Sequence, residues 1–388
     1  MMARCIRITL WLCWIAFSIG SLTALFLWGL DQIQARGGPE AWDWLGLPIL
    51  ALAFHLVQTW WPQWKQAKLN HYLQEKTSHA SHAPYVLLGT WLSQWAGASV
   101  GREGTALVMG SSQASFWWKR MEVPGLRYQE VLQMGMAAGF AAVFGTPLTG
   151  ALFALELKKS WVPEPLQVLR CLSVGFLAHW TVIHVYGLQH LIYPPIFAPV
   201  FSWGFVAKLI VIGLFLALFA RCYKASESFI SRWTEQWPIQ GILKPLLSGL
   251  MLALLFQIPA FQSSSGLGAE FLLRPFENAD PQVLASFAGT KAISTSLSLG
   301  WGYIGGEATP LFLMGAHGAA AWAPILNLPS GLLAALGFLG LYHGLSKTPL
   351  AGTLMGLELF GLHAWWCYLL VCILSTIFTG RTRLFTAA

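Results

Sequence analysis

The sequence predicts an all-α membrane protein that crosses the bilayer many times and consists of two related halves with interrupted helices. Three observations support this prediction. Of the 388 residues, 56% are hydrophobic and 10% are charged, whereas about 25% of residues are charged in typical soluble domains. Long stretches contain no Asp, Glu, Lys or Arg, and one pair of glycine-containing motifs occurs in both halves of the chain.

The uncharged stretches define the predicted spanning segments, because about 20 apolar residues suffice to cross a bilayer. The first covers residues 8–30 and is expected to be retained, since it is longer than a signal-peptide core and has no clear small-residue cleavage site. The other stretches are residues 44–64, 171–207, 245–269, 308–346 and 359–380. Polar connectors are predicted at residues 65–85, 119–130, 221–237 and 261–281, and no soluble domain is predicted.

Two apolar segments, residues 209–220 and 349–357, are too short for complete spans. They are predicted to form helices that stop partway through the bilayer. Such ends are tolerated where they face protein or a water-filled cavity.

The net charge of +7 is distributed as in a membrane protein rather than a nucleic-acid-binding protein. Basic residues lie at the ends of predicted spans, with Arg4 and Arg7 before the first and Arg381 and Arg383 after the last. Because cytoplasmic segments carry an excess of Lys and Arg, both termini are predicted to lie on the cytoplasmic side of the cell membrane. The six cysteines have no metal-ligand spacing and are predicted to be free thiols, so no metal or cofactor is expected.

A pair of motifs occurs in each half of the chain at almost the same spacing. Glu103 and Glu307 are equivalent and lie 204 residues apart, and Glu156 and Glu358 lie 202 residues apart. Duplicated membrane domains with helices interrupted by glycine and proline are typical of transporters. The predicted membrane repeats cover residues 1–200 and 201–388, and the motifs occupy residues 101–110, 144–157, 305–315 and 346–359.

The motifs predict three helix starts inside the membrane, where free backbone N–H groups and helix dipoles attract anions. A glycine-rich turn surrounds Glu103, a second precedes Glu307, and Pro147 can begin a helix without losing a needed donor. Donors of this kind bind a small anion reversibly without a fixed cation. The predicted anion-binding backbone and helix starts are Gly101, Arg102, Gly104, Thr105, Gly145, Thr146, Pro147, Gly305, Gly306 and Ala308.

Glu103 is predicted to link anion movement to proton movement. Its ionised carboxylate competes with an anion for the same donors, whereas its protonated form is displaced or coexists with the anion. An ionisable residue inside a membrane is a functional hypothesis by default. The alternative is a structural ion pair with the adjacent Arg102.

These motifs resemble the CLC family of chloride channels and anion/proton antiporters over most of the chain. Gly101-Arg102-Glu103-Gly104 is similar to the family's GREGP motif, and residues 139–156 resemble its Gly-x-x-x-x-Phe-x-x-Pro region and the helix beyond. Residues 305–316 resemble the segment written GGxFxPxLxxGA. The resemblance implies a homodimer with one pore per subunit, two halves of inverted topology, and Glu103 as the external gating glutamate.

Departures from these motifs resemble the fluoride/proton antiporter branch. Glu307-Ala308-Thr309 stands where chloride-handling members have an apolar residue, phenylalanine and a small residue, and Thr105 replaces the proline of GREGP. Leu157 occupies the position of the internal proton glutamate of chloride antiporters, and no tyrosine follows Tyr368 to serve as the central tyrosine. The serine-bearing GSGIP motif is not recognisable, and Asn70 is a candidate for the equivalent turn.

Glu307 and Thr309 are predicted to recognise the anion and to couple it to protons. Fluoride is small and strongly hydrated, so a selective site must replace its water with strong donors, such as a protonated carboxyl and a hydroxyl. The alternative for Glu307 is a simple cap of the following helix. For Glu156 and Glu358, which follow the two Thr-Pro-Leu sequences, a structural role is predicted.

The sequence therefore predicts a fluoride/proton antiporter that exports fluoride from the cytoplasm, with fluoride, protons and the lipid bilayer as its partners. Within the family, the alternatives are a chloride/proton antiporter and a passive anion channel. Outside transport, the alternative is an intramembrane enzyme that uses Glu103 and Glu307 as acid and base. The matching halves favour transport, because an enzyme has no need of them.

Overall fold

The computed structural model describes residues 2–36, 43–74, 78–123, 125–157, 164–239, 241–277 and 279–385. These residues form α-helices joined by short turns, and the described part contains no β-strand beyond one two-residue bridge. The prediction of an all-α protein is confirmed. The helices are α1 (Met2–Gln34), α2 (Gly46–Trp60), α3 (Leu69–Leu73), α4 (His82–Trp95), α5 (Glu103–Met121), α6 (Tyr128–Phe144), α7 (Pro147–Glu156), α8 (Pro165–Trp180), α9 (Trp203–Glu235), α10 (Leu243–Phe256), α11 (Pro259–Gln262), α12 (Pro281–Gly300), α13 (Ala308–Ala320), α14 (Ala323–Leu326), α15 (Ser330–Ser346), α16 (Pro349–Phe360) and α17 (Trp365–Phe378).

Only some of the helices are long enough to cross a membrane. Among the described residues, three segments reach that length with sufficient hydropathy: Ile6–Gln34, Pro165–Val185 and Trp203–Glu235. Several other apolar helices have 10–17 residues, including α16, which was predicted to be short. Interrupted helices therefore make up much of the membrane domain, as the sequence predicted.

The prediction of a short helix at residues 209–220 and a connector at 221–237 is wrong. All of these residues up to Glu235 belong to α9, one continuous helix of 33 residues. At 1.5 Å per residue, α9 is about 50 Å long and exceeds the roughly 30 Å hydrocarbon core. Its charged residues therefore mark the place where the helix leaves the core of the bilayer, not a break in the helix.

Two of the uncharged stretches do not correspond to single spans. Residues 171–207 contain the end of α8, a π-helical turn, a segment without helix and the start of α9. Residues 308–346 contain α13 and α15 with the short α14 between them. Low charge identifies membrane residues, but it does not locate the interruptions.

Glycines allow equivalent helices of the two halves to pack at very short distance. A Cβ atom on Gly110 of α5 would lie 2.1 Å from the carbonyl oxygen of Gly135 on α6. In the second half, a Cβ atom on Gly315 of α13 would lie 2.1 Å from the carbonyl oxygen of Gly337 on α15. Small residues permit such close approach in membrane helices. The α5–α6 and α13–α15 pairs thus hold the two helix starts in matching positions.

The carboxylates of Glu156 and Glu358 cap helices of the opposite half. Glu358 accepts hydrogen bonds from the backbone N–H groups of Leu148 and Thr149 at 2.9 and 2.8 Å, and from the Thr149 hydroxyl at 2.6 Å. Glu156 accepts from the N–H groups of Leu350 and Ala351 at 3.1 and 2.8 Å. Each glutamate therefore satisfies donors at the start of its partner helix, α7 or α16. This arrangement agrees with the predicted structural role.

Replacing Glu358 by alanine is expected to destabilise the protein by about 1–3 kcal/mol, because the N–H groups of Leu148 and Thr149 and the Thr149 hydroxyl lose a charged acceptor. The measurement is the apparent melting temperature of the purified protein in detergent. The exposed Glu277 provides a matched control, since Glu277→Ala removes a carboxylate without such contacts. Equal melting temperatures for the two variants would contradict the capping role.

Candidate functional site

The starts of α5 and α13 meet in the interior of the protein. Gly101 and Gly306 form an antiparallel bridge, with N–H to carbonyl distances of 2.6 and 2.7 Å. A Cβ atom on Gly306 would lie 2.5 Å from the backbone nitrogen of Gly104, so a larger residue cannot be placed there without moving the backbone. The glycines of the two motifs are therefore required by the close approach of the two turns.

The carboxylate of Glu103 lies on the first turn of α13. Its side chain is buried and accepts a hydrogen bond from the backbone N–H of Thr309 at 2.9 Å. The Thr309 hydroxyl is also in hydrogen-bond contact with both carboxylate oxygens, at 2.5 Å from Oε1. These donors and the helix dipole favour negative charge, so the carboxylate occupies a position that suits an anion.

Arg102 also contacts Glu103, but at longer distances. Its backbone N–H and its guanidinium Nε lie 3.3 and 3.4 Å from the carboxylate oxygens. The alternative of an Arg102 ion pair is therefore present alongside the Thr309 contacts, which are shorter. A carboxylate held by hydrogen bonds from another helix can leave when it is protonated, because those donors prefer the charged form.

A small cavity of about 20 Å³ lies beside Glu103. It is lined by Arg102, Glu103, His190 and Thr309 together with the aromatic rings of Phe144, Tyr193, Phe312 and Phe338. This volume is close to that needed for one water molecule. We refer to it as the outer cavity.

A larger cavity of about 270 Å³, the inner cavity, shares no lining residue with the outer one. Its wall includes Gly104 and Thr105 from α5 and residues 305–308 from the turn before α13. The two helix starts thus lie between the two cavities, with Glu103 on the outer cavity and Glu307 on the inner cavity.

Glu307 faces the inner cavity and does not cap its own helix. It is the residue before α13, but its side chain makes no capping hydrogen bond. Within the part of the chain that the structure describes, its Oε2 atom has no hydrogen-bond partner, and it lies 3.8 Å from the Nζ atom of Lys224 on α9. The alternative of a simple cap therefore does not describe this side chain.

Asn70 and Thr105 lie on the wall of the same inner cavity as Glu307. Asn70 belongs to the short helix α3, and Thr105 pairs its hydroxyl with that of Thr90 on α4 at 2.7 Å. The structure thus places Asn70, a candidate from the sequence, on the cavity that reaches the two helix starts.

The predicted third helix start does not join this site. The first free N–H groups of α7 donate to Glu358, so they are not available to an anion beside Glu103. Gly145 ends α6 with a φ of +77° and packs against His190, while Thr146 is buried just before α7. The N–H groups bound to Glu358 belong to Leu148 and Thr149. Gly145, Thr146 and Pro147 line neither cavity, and their role in anion binding stays a prediction.

Sequence reasoning missed Tyr342, which lines the inner cavity from α15. The repeat contains a signal that could have identified it, since the equivalent residue of the first half is Phe140. A hydroxyl is thus present at this position in one half alone.

Lys224 and Glu227, which also line the inner cavity, were missed because α9 was predicted to end before them.

The chain is similar to curated proteins over most of its length. Residues 49–380 match the family described as voltage gated chloride channel. A protein of Pseudomonas syringae pv. tomato (strain ATCC BAA-871 / DC3000) named chloride/fluoride channel protein is 34% identical over 96% of this chain and 84% of its own length. The H(+)/Cl(-) exchange transporter ClcA of Yersinia pestis bv. Antiqua (strain Angola) is 25% identical over 71% of this chain and 60% of its own length.

Solved structures share the fold. A crystal structure of a CLC-type fluoride/proton antiporter has a TM-score of 0.88 and 25% identity, covering 97% of this chain and 96% of that chain. A structure of a slow cyanobacterial Cl-/H+ antiporter has a TM-score of 0.81 and 20% identity, covering 96% of this chain and 94% of that chain. The predicted fold, with inverted halves and broken helices, is confirmed by these similarities.

Proposed function

Because the chain belongs to the voltage-gated chloride channel family, we propose that it exchanges fluoride for protons and exports fluoride from the cytoplasm. The observation that carries this proposal is the position of the two carboxylates on either side of the helix starts. Glu103 covers the donors of α13 beside the outer cavity, and Glu307 faces the inner cavity. An anion that passes the helix starts must displace the Glu103 carboxylate from the donors of α13. On the other side of the helix starts it meets the Glu307 carboxyl.

Protonation of the two carboxylates couples the movement of the anion to the movement of the proton. When Glu103 takes up a proton, its attraction to the donors of Thr309 weakens, and an anion can take its place. Glu307 in its protonated form can donate a hydrogen bond to that anion from the inner side. Each anion transferred outward is then accompanied by a proton transferred inward, which defines an antiporter.

Fluoride is favoured over chloride by donors at both cavities, Glu307 at the inner one and Thr309 at the outer one. Protonated Glu307 and the Thr309 hydroxyl supply the strong donors that a small, strongly hydrated anion requires. The similarity to a fluoride/proton antiporter and to a protein named chloride/fluoride channel supports the same choice. A chloride/proton antiporter and a passive anion channel are the alternatives within the family, and we propose no enzymatic activity.

The proposal includes the setting of the protein. We place it in the cell membrane as a homodimer with both termini in the cytoplasm, and we infer that residues 1–200 and 201–388 are its two repeats. Exposed apolar side chains on α8 and α17, such as Phe176, Trp180 and Trp365, provide a surface for lipid or for a second subunit. A detergent-solubilised particle containing two 42.7 kDa chains would support the dimer.

The test is anion efflux from proteoliposomes loaded with fluoride or chloride, with the internal pH recorded. We expect fluoride to leave the vesicles while protons enter them. Chloride efflux is expected to be at least tenfold slower than fluoride efflux. Vesicles without protein are the control for leakage of neutral acid. Chloride efflux as fast as fluoride efflux would contradict the proposed selectivity, and fluoride efflux without proton uptake would indicate a channel.

A further inference from the structure

Three charged side chains form a cluster on the wall of the inner cavity. The Nζ atom of Lys224 lies 2.5 Å from Oε2 of Glu227 and 3.8 Å from Oε2 of Glu307. Lys224 and Glu227 are one turn apart on α9, and Glu307 precedes α13. Side-chain exposure is 20% for Lys224, 19% for Glu227 and 22% for Glu307, so each side chain is partly accessible from the cavity, while the Oε2 atom of Glu307 is itself buried.

We propose that Lys224 and Glu227 complete a proton relay with Glu307, through which protons pass between Glu307 and the cytoplasm. This inference rests on the proposed exchange of fluoride for protons. Leu157 cannot carry a proton, so a route on the inner side must use other groups. Among the described residues that line the inner cavity, Glu227 and Glu307 are the only carboxyls.

The position of Lys224 keeps the cluster electrically balanced during proton transfer. With Glu307 protonated, Lys224 pairs with ionised Glu227. The proton then leaves the Glu307 carboxyl, crosses cavity water and binds the Glu227 carboxylate, and Lys224 now neutralises ionised Glu307. The cluster has zero net charge before and after the step, which avoids the cost of an unpaired charge in a poorly solvated place.

Release completes the step. Glu227 gives its proton to water on the cytoplasmic side, and Lys224 then lies between two ionised carboxylates until Glu307 receives its next proton from the side of the helix starts. The inner cavity, at about 270 Å³, has room for several waters at about 30 Å³ each. The proton alone is transferred, so no oxidant, reductant or other reactant is required.

The other titratable groups around the cluster are poorly suited to exchange protons. Lys68, Tyr85, Tyr303 and Tyr342 line the same cavity, and Tyr223 precedes Lys224 on α9. Lysine and tyrosine ordinarily hold their protons at neutral pH. Lys68 adds positive charge to the cavity wall, which attracts an anion. The carboxyls of Glu227 and Glu307 therefore remain as the groups that exchange protons.

The first test compares fluoride efflux and proton uptake for the full-length protein and its Glu227→Gln variant in proteoliposomes. We expect the number of protons taken up per fluoride to fall at least fivefold, because glutamine cannot carry a proton. Glu227→Asp keeps the carboxyl and is expected to retain at least a third of the wild-type coupling. Glu235→Gln, an exposed carboxylate on the same helix, is the matched control and is expected to stay within twofold.

Coupling in Glu227→Gln within twofold of the wild type would overturn the relay. Equal loss of coupling in Glu227→Gln and Glu227→Asp would also overturn the relay. A carboxyl at this position would then not restore proton transfer, and Glu227 would have a structural role instead. If vesicles with the wild-type protein exchange chloride instead of fluoride, the proposed fluoride function fails. The relay can still be tested in that case by measuring proton uptake driven by chloride. Unchanged coupling there would overturn the relay as well.

A second variant tests the role of the ammonium. Without the Lys224 charge, both carboxyls hold protons more tightly, so release to the cytoplasm requires a higher internal pH. Lys224→Met is therefore expected to shift the dependence of proton uptake on internal pH upward by at least one unit, and Arg221→Met, exposed on the same helix, is the control. A Lys224→Met profile that superimposes on the wild type would overturn the proposed charge balance.

Discussion

Replacing Glu103 by glutamine is expected to reduce fluoride efflux and coupled proton uptake together by at least 100-fold, which corresponds to about 2.7 kcal/mol. Glutamine is nearly isosteric with glutamate, so its carbonyl oxygen can still accept hydrogen bonds from the N–H and hydroxyl of Thr309. The amide cannot take up a proton and leave these donors. The side chain thus remains over the helix start and blocks the anion.

Glu103→Ala provides the contrast for this prediction. Alanine removes the group that covers the donors of α13, so fluoride is expected to pass without proton uptake. The measurement for both variants is simultaneous recording of fluoride efflux and internal pH in proteoliposomes, with the exposed Glu277→Gln as control. Coupled transport in Glu103→Gln within tenfold of the wild type would remove Glu103 from the mechanism.

Replacing Glu307 by glutamine is expected to lower proton uptake at least tenfold, or about 1.4 kcal/mol, while the preference for fluoride over chloride is retained. The glutamine amide can still donate a hydrogen bond to the anion, but it cannot release a proton. Glu307→Ala is expected to lose both the coupling and the preference, because it has no donor at all. The two variants therefore separate anion recognition from proton transfer.

The measurement is the ratio of fluoride to chloride efflux together with protons taken up per anion. Proton coupling that survives in Glu307→Gln would show that protons bypass this residue, and the relay through Lys224 and Glu227 would fail with it. A fluoride preference that survives in Glu307→Ala would assign recognition to other donors, such as the Thr309 hydroxyl beside Glu103.

Much of the site could be predicted because its requirements are local. Gly101, Gly104 and Gly306 were identifiable since only glycine permits two backbones to approach so closely. Glu103 and Glu307 were identifiable since carboxylates in uncharged membrane segments are rare and costly. Both features depend on residue type and sequence neighbours, which the sequence contains in full.

The errors arose where a local pattern has more than one structural outcome. Charged residues after position 220 were interpreted as a loop, yet α9 continues to Glu235. Composition cannot distinguish a helix that leaves the hydrocarbon core from a chain that stops being helical. Similarly, the start of α7 resembles the other helix starts, but the N–H groups of Leu148 and Thr149 donate to Glu358, more than 200 residues away in the sequence.

The sequence alone determined that this protein is a helical membrane protein with two similar halves, interrupted helices and buried carboxylates beside glycine turns. These properties follow from hydropathy, backbone freedom and the cost of burying charge. The tertiary structure decided which groups meet: Glu103 with Thr309, Glu156 and Glu358 with helices of the opposite half, and Lys224 with both Glu227 and Glu307. Contacts between distant segments depend on how the helices pack, and hydropathy patterns carry no information about that choice of partners.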